Sequence, residues 1–472
     1  VLVLAVVAKN AIAVPHYCQA DRPDLSTYPE PKIEGSVLSN AQLFIRHGDR
    51  TPVRTTKQDN DLHWECSSSS TYTTSVFKSL LPAQAVMRNG QMRLKAPSSR
   101  KAPHAKEKVV LPDSSSFSAS MWKGSCATGQ LTPLGAEQMN KLGQALRQIY
   151  VDHLKFLPIE FLPSSMYIRS TDVWRTKQSV ENLMVGLYGM AALSQGLPPP
   201  ILNIYTLPRK VDYLSMNKNQ CPRIDELDWS ISDQSLVLRA MKDQVHDFKH
   251  LVQALTDTDE DFHGLMDAIL PRLCHGLPLQ CEPTYSDDDD DDDTEYVGED
   301  PQQPLCVTED IVSRVVEVIG LKNAETRRDA PGVRELLQLG MGPLVSEIRQ
   351  HLVEASEGPK GGDQERFRIY SGHDSTLAPL LGLLDSADMH WPVYVSASKV
   401  GATNLIFELW SSPLDGDFMR VLHNGKVLET KTGWCDLGWC PFKTFVDYLG
   451  GFIIEDLASS CETEDSYEDD DE

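Results

Sequence analysis

The stretch FIRHGDRTP, Phe44 to Pro52, sets Arg46, His47 and Arg50 directly behind the apolar run Leu43-Phe44-Ile45. Residues 41–46 read as a buried strand, and 47–54 as the loop that leaves it. A basic cluster on open surface is ordinary. One that leaves a strand end through a glycine turn suits an anion, because ligands of open α/β sheets bind outside the carboxyl ends of the strands.

Two further junctions have the same form. SMYIRS (165–170) is a short strand followed by a helix from Asp172 to Tyr188, with Arg169 and Arg175 on either side of the turn. RFRIYSGHD (366–374) is a buried strand, STLAPLLGLL (375–384) begins the next helix, and His373-Asp374 lies between them. Convergence of the three ends on one pocket would gather several arginines and two histidines. Arginine's planar fork pairs with phosphate oxygens. A histidine inside such a cluster has its charged form disfavoured, which keeps a nitrogen lone pair available to a nucleophile. Taken singly, an Arg-x-x-Arg reads as solvated surface and a His-Asp pair as a structural hydrogen bond. Together they supply what phosphoryl transfer needs: equatorial positive charge, a nucleophile and a proton donor.

Between the junctions, QLTPLGAEQMNKLGQALRQIYVDHL opens a helix with Thr132 as N-cap and Pro133 at the first position; Leu134, Met139, Leu142, Leu146 and Tyr150 follow at helical spacing. Residues 195–360 are mainly helical, most clearly at 233–256, 308–320 and 331–354. TNLIFELWSS and DFMRVLHNGKVLE are strands, the latter turning at Asn424-Gly425. The expected fold is α/β: a three-layer body with a mostly parallel central sheet flanked by helices, plus an inserted, mainly helical cap subdomain. The expected division is 36–194 for the first part of the body, with a polar excursion at 55–125, then the cap at 195–360 and the second part of the body at 361–454. No repeat and no Gly-rich nucleotide loop occurs.

The net charge of −24 is concentrated. Residues 282–300, with the run Asp287–Asp293, and the tail 455–472 together contribute −21, so the rest carries about −3. Both segments read as solvated and disordered, with a calcium or partner role as the alternative. This balance speaks against a nucleic-acid partner. Basic residues concentrate at 88–108: Arg88, Arg93, Lys95, Arg100, Lys101, Lys106 and Lys108. They would draw a polyanionic substrate if they overhang the pocket, or pair with the acidic run, or simply be solvated.

Ten cysteines, none in a CxxC pair, fit disulfides better than a zinc ribbon. Cys274–Cys281 and Cys435–Cys440 are near enough in sequence to pair, and a Cys66–Cys126 bridge would tie down the excursion. VLVLAVVAKNAIA (1–13) reads as the end of a signal peptide whose start is missing, with a trimmed Golgi anchor as the alternative. The apolar run is too short to span a bilayer, so no transmembrane span is expected in this chain. The expected setting is the secretory pathway, in the Golgi lumen or outside the cell, where disulfides persist. No Asn-x-Ser/Thr sequon is present, and nothing in the sequence assigns an oligomeric state.

RHGDRTP resembles the signature of the histidine acid phosphatases, a branch of the histidine phosphatase superfamily. GQLTPLGAEQ, YIRSTDVWRT and YSGHDSTLAPLL are similar to that family's motifs and follow in its order. The resemblance implies an acid phosphatase that hydrolyses phosphate monoesters through a phosphohistidine on His47. Arg46, Arg50, Arg175 and His373 would bind the phosphate, and Asp374 would protonate the leaving alcohol and then activate water. The Gly48 carbonyl would orient His47, Arg169 would be structural, and Asp49 would sit at the pocket rim. No metal or other cofactor is implied. The stretches CHGLPLQC and CDLGWCPFKTFVDYL look like the acid-phosphatase-like branch that includes a xylose-2-phosphate phosphatase, which points to a phosphorylated small molecule or glycan as substrate. The alternatives are a phytase-like inositol phosphate phosphatase, a catalytically silent phospho-ligand binder, and a calcium-binding protein acting through its acidic segments.

Overall fold

The computed structural model describes residues 20–53, 62–66, 84–88, 91–95, 123–189, 193, 202–244, 253, 262–281, 306–358, 365–389 and 403–463. Residues 1–13, read above as the end of a signal peptide, most of the 55–125 excursion including 96–108 of its basic stretch, the acidic run and the tail beyond 463 lie outside them.

Five strands build the centre: β1 (Val37–Arg46), β2 (Met166–Ser170), β3 (Phe367–Gly372), β4 (Asn404–Ser412) and β5 (Gly416–His423). Their order is β5-β4-β1-β3-β2, continued past β2 by Ile204–Tyr205 and a hairpin of Gln84–Arg88 with Gln91–Lys95. Strand β3 lies parallel to both β1 and β2, whereas β4 and β5 are antiparallel neighbours. Such central strands are covered on both faces, and every residue of β3 and β4 is buried.

Alternation along β1 divides the core. Ala41, Leu43 and Ile45 face α1 (Pro133–Leu146) and α2 (Trp174–Tyr188). Phe44 faces the opposite layer, which includes α7 (Val333–Glu357), α8 (Asp374–Leu383) and α9 (Phe442–Gly450). On the first face Glu408 and Arg420 form a fully buried ion pair at 2.6 Å, and Glu408 also accepts from the hydroxyls of Tyr28 and Tyr150. A charge pair without water is retained only when its remaining lone pairs are met in this way.

Helices α3 (Arg223–Gln234), α4 (Leu236–Gln244), α5 (Phe262–Cys274) and α6 (Glu309–Ala324) occupy the stretch between β2 and α7. The helices expected most clearly correspond to α4, α6 and α7; α3 and α5 were not among them, although Ile224, Leu227 and Ile231 of α3 recur at helical spacing and are buried. Helix α7 falls in the segment expected to form the cap, yet it packs on the sheet, where Gln42 Nε2 donates to its Ile348 carbonyl at 3.3 Å. Thr132 caps α1 by accepting from Gly135 N at 3.1 Å, with Pro133 in the first turn, as the sequence predicts.

Cys66–Cys126 and Cys435–Cys440 form as expected. The suggested Cys274–Cys281 pair does not. Cys281 bridges to Cys306, because the two residues face one another across an antiparallel contact in which Val307 N donates to the Gln280 carbonyl at 2.8 Å. Cys274 is disulfide-bonded to another partner. Cys221–Cys461 joins the entry to α3 to the start of the acidic tail. That tail is thus not wholly solvated: Asp456 caps the turn Leu457–Ser460, and Cys461 is buried. Among the described residues no helix is long and apolar enough to cross a membrane.

Candidate active site

The register of the parallel strands assembles the site. Arg46 pairs with Gly372 and Ser371 with Ser170, so β1, β3 and β2 end level. The ladder runs one step further: His47 N donates to the Gly372 carbonyl at 3.1 Å, and Thr171 N to the Ser371 carbonyl at 3.0 Å. The three junctions therefore leave the sheet side by side.

His47 is 2% exposed, and its Nδ1 lies 2.7 Å from the Gly48 carbonyl. A carbonyl only accepts, so Nδ1 carries the proton and Nε2 the lone pair. Burial, then the charges of Arg46, Arg175, His373 and Arg50, push the His47 pKa well below the ordinary value. The expected direction holds, with desolvation as the larger cause.

Gly48 is obligatory here for lack of space. A Cβ at this position would run into the backbone of Gly135 in the first turn of α1. Its amide donates to Ser179 Oγ at 3.0 Å, and Ser179 Oγ donates to the Arg175 carbonyl at 2.7 Å, so α2 is fastened to the loop.

The ring of His373 lies 5.3 Å from that of His47, centroid to centroid, and its Nε2 is 3.0 Å from Thr171 Oγ1. Burial and the neighbouring arginines, Arg175 foremost, lower its pKa to about 3. Asp374 opens α8, where Ser375 N donates to its Oδ1 at 3.0 Å. Burial works to raise the Asp374 pKa, but Arg46, the adjoining His373, Arg50 and the Ser375 amide outweigh it, and the net shift is downward.

Arg175 lies against Gly129, its Nε is buried with no hydrogen-bond partner among the described residues, and burial followed by Arg50 and Arg46 lowers its pKa to about 10. It stays charged at neutral pH. Arg169 points away from this group, donating to Glu347 Oε2 at 2.6 Å and Asp212 Oδ1 at 3.0 Å with Tyr213 beneath it. Three arginines thus converge on two neutral histidines and a carboxyl group.

Asp49 is not at the rim. It is 3% exposed, its Oδ2 is 2.6 Å from His275 Nε2, and the Thr132 hydroxyl donates to the same oxygen. Burial of the His275 ring opposes its charged form, yet the charge of Asp49 and their hydrogen bond raise its pKa above the ordinary histidine value. Asp267, on α5, holds Arg50 from the other side. Sequence reasoning missed Asp267 and His275. Their only signal was a carboxylate and a histidine standing in the apolar stretch GLMDAILPRLCHG.

A strand-end pocket of arginines around a buried neutral histidine defines a phosphoryl-transfer enzyme of the histidine phosphatase type. The chain belongs to the histidine phosphatase superfamily (branch 2), whose family model matches residues 37–306, and it is a phosphate monoester hydrolase. It is 27% identical to counting factor 60 of Dictyostelium discoideum over 465 residues, covering 95% of this chain and 92% of that protein. It is 26% identical to 2-phosphoxylose phosphatase 1 of Danio rerio, covering 87% of this chain and 78% of the relative. It is also 26% identical to human prostatic acid phosphatase, covering 72% and 81%. The apo phytase of Hafnia alvei shares the fold, with a TM-score of 0.50 at 13% identity over 92% of this chain and 100% of the phytase.

Proposed function

We propose that the protein hydrolyses phosphate monoesters in two steps through a phosphohistidine on His47. His47 Nε2 attacks phosphorus while the ester oxygen leaves and takes a proton from Asp374. Asp374, now a carboxylate, accepts a proton from water, whose oxygen displaces His47 and releases inorganic phosphate. Arg46, Arg50 and Arg175, with His373, hold the non-bridging oxygens, where charge is spread in the transition state. The contact between Nδ1 and the Gly48 carbonyl carries this reading, because it fixes the tautomer that exposes Nε2 and steadies the positive ring of the intermediate. The presence of both His47 and Asp374 weighs against a silent phospho-ligand binder.

A phosphorylated sugar or glycan is the substrate class we favour, supported by the likeness to 2-phosphoxylose phosphatase 1. The disulfides support work in the secretory pathway, in the Golgi lumen or outside the cell.

The test is hydrolysis of an aryl phosphate from about pH 4 to 8 by the parent and by His47→Ala. Activity should favour acid pH and vanish on substitution. Turnover surviving in His47→Ala, or an inert folded parent with its disulfides intact, would contradict the mechanism.

A further inference from the structure

The helical stretch between β2 and α7 reaches the phosphate loop at two points. On α5, Asp267 Oδ1 accepts from Arg50 Nη1 at 2.5 Å and Oδ2 accepts from the Val53 amide at 2.6 Å. Both side chains are buried, and they lie 217 residues apart in sequence. Arg50 Nη1 also donates to the Thr51 carbonyl at 3.1 Å. Each carboxylate oxygen therefore has a fixed partner, and the guanidinium plane is set by acceptors outside the cluster of basic groups. Just past the end of α5, His275 meets Asp49 on the same loop, and Trp64 packs edge-on against the His275 ring at 4.9 Å.

Arg50 has reason to need such a holder. It shares a buried space with Arg46 and Arg175, and like charges in a low dielectric push a flexible side chain away unless an opposite charge anchors it. Asp267 supplies that charge from beyond the loop, and its field also acts on Arg175.

We propose that Asp267 is a positioning residue of the phosphate site: it holds the Arg50 guanidinium in the orientation that takes a phosphoryl oxygen, which makes α5 a working part of the active site. The proposal rests on Arg50 being a phosphate ligand, as assigned above.

The experiment measures the Kd of inorganic phosphate by calorimetry, kcat and KM for an aryl phosphate, and Tm, in the parent, Asp267→Asn, Arg50→Lys and the double variant. Asparagine keeps the shape and an acceptor oxygen while removing the charge. Phosphate binding should weaken about tenfold in Asp267→Asn, with a matching rise in KM. In the Arg50→Lys background the same change should cost far less, because a lysine ammonium has no plane to orient and residues acting through one another are not additive. Unaltered phosphate affinity with a lower Tm would overturn the proposal and leave a purely structural ion pair. An equal loss in both backgrounds would overturn it too. Should Asp267→Asn fail to fold, Asp267→Glu is read by the same arms. Failure of the hydrolytic reading is separable: a parent that turns over no ester, yet binds phosphate in a way that depends on Asp267 through Arg50, would keep this proposal and lose the other.

Discussion

In the mechanism proposed above Asp374 is protonated as the ester bond breaks, yet in the free site Arg46, the adjoining His373 and Arg50 draw its pKa below the usual carboxylate value. Binding would resolve the conflict, because a phosphoryl group brings negative charge between the arginines and the carboxyl and raises its affinity for a proton. The acid form survives better at low pH, so activity should favour acid. Asp374→Asn should cut kcat for alkyl phosphates by roughly 10²–10⁴ and for a nitrophenyl phosphate by much less, since that leaving oxygen departs without help. The check is kcat across a series of leaving groups; a uniform loss would remove Asp374 from the acid role. The gathering of His47, Arg46, Arg50, His373 and Asp374 at one end of the sheet was legible because each junction places its polar residues within a few neighbouring positions. Asp267 and His275 were not, because their partners are 217 and 226 residues distant and no local spacing encodes the contact. Asp49 misled for a related reason: a charged residue in a loop reads as solvated until its buried partner is seen.

The level ends of β1, β3 and β2 bring the three motifs together, and that follows from parallel pairing of apolar runs that the sequence displays openly. The N-terminus of α1 was equally plain, through Thr132 and Pro133. Helix α5 was hidden because its residues are apolar nearly all round and Pro271 interrupts the pattern. What no periodicity reveals is how closely α1 and α2 cross. A Cβ on Gly143 would meet the Leu183 carbonyl, and one on Gly186 the Asn140 carbonyl, both well inside contact distance. Backbone cannot step aside as a side chain can. Gly186→Ala should therefore destabilise the protein by about 1–3 kcal/mol, despite alanine's better helix propensity. Urea unfolding measures this, and a neutral or stabilising result would mean that the two helices slide freely. Because α2 carries Arg175, phosphate affinity should fall in the same variant.

For the whole molecule, the buried basic site bears on stability in acid. His373 has a folded pKa of about 3 and His423 of about 4, both lowered chiefly by burial, and His47 is also strongly depressed. Unfolded, each takes up a proton near pH 6.5, so the unfolded chain binds more protons below that value. Their contribution is fully present above about pH 6.5 and is lost as pH falls toward the folded pKa values. His275 runs the other way: its raised pKa gives stability that is complete below about pH 6.5 and lost as pH rises through the folded value. Three groups oppose one, so the urea midpoint should drop between about pH 7 and pH 4.5; a level or rising midpoint would contradict the burial of these rings. The disulfide network adds a constraint of another kind. Cys281–Cys306, 25 residues apart in sequence, closes a covalent loop that contains the Asp287–Asp293 run. Doubling the length of such a loop costs only about 0.6 kcal/mol in closure entropy. A change in the length of that loop therefore costs little in closure at the Cys281–Cys306 contact, which follows soon after His275 in the chain.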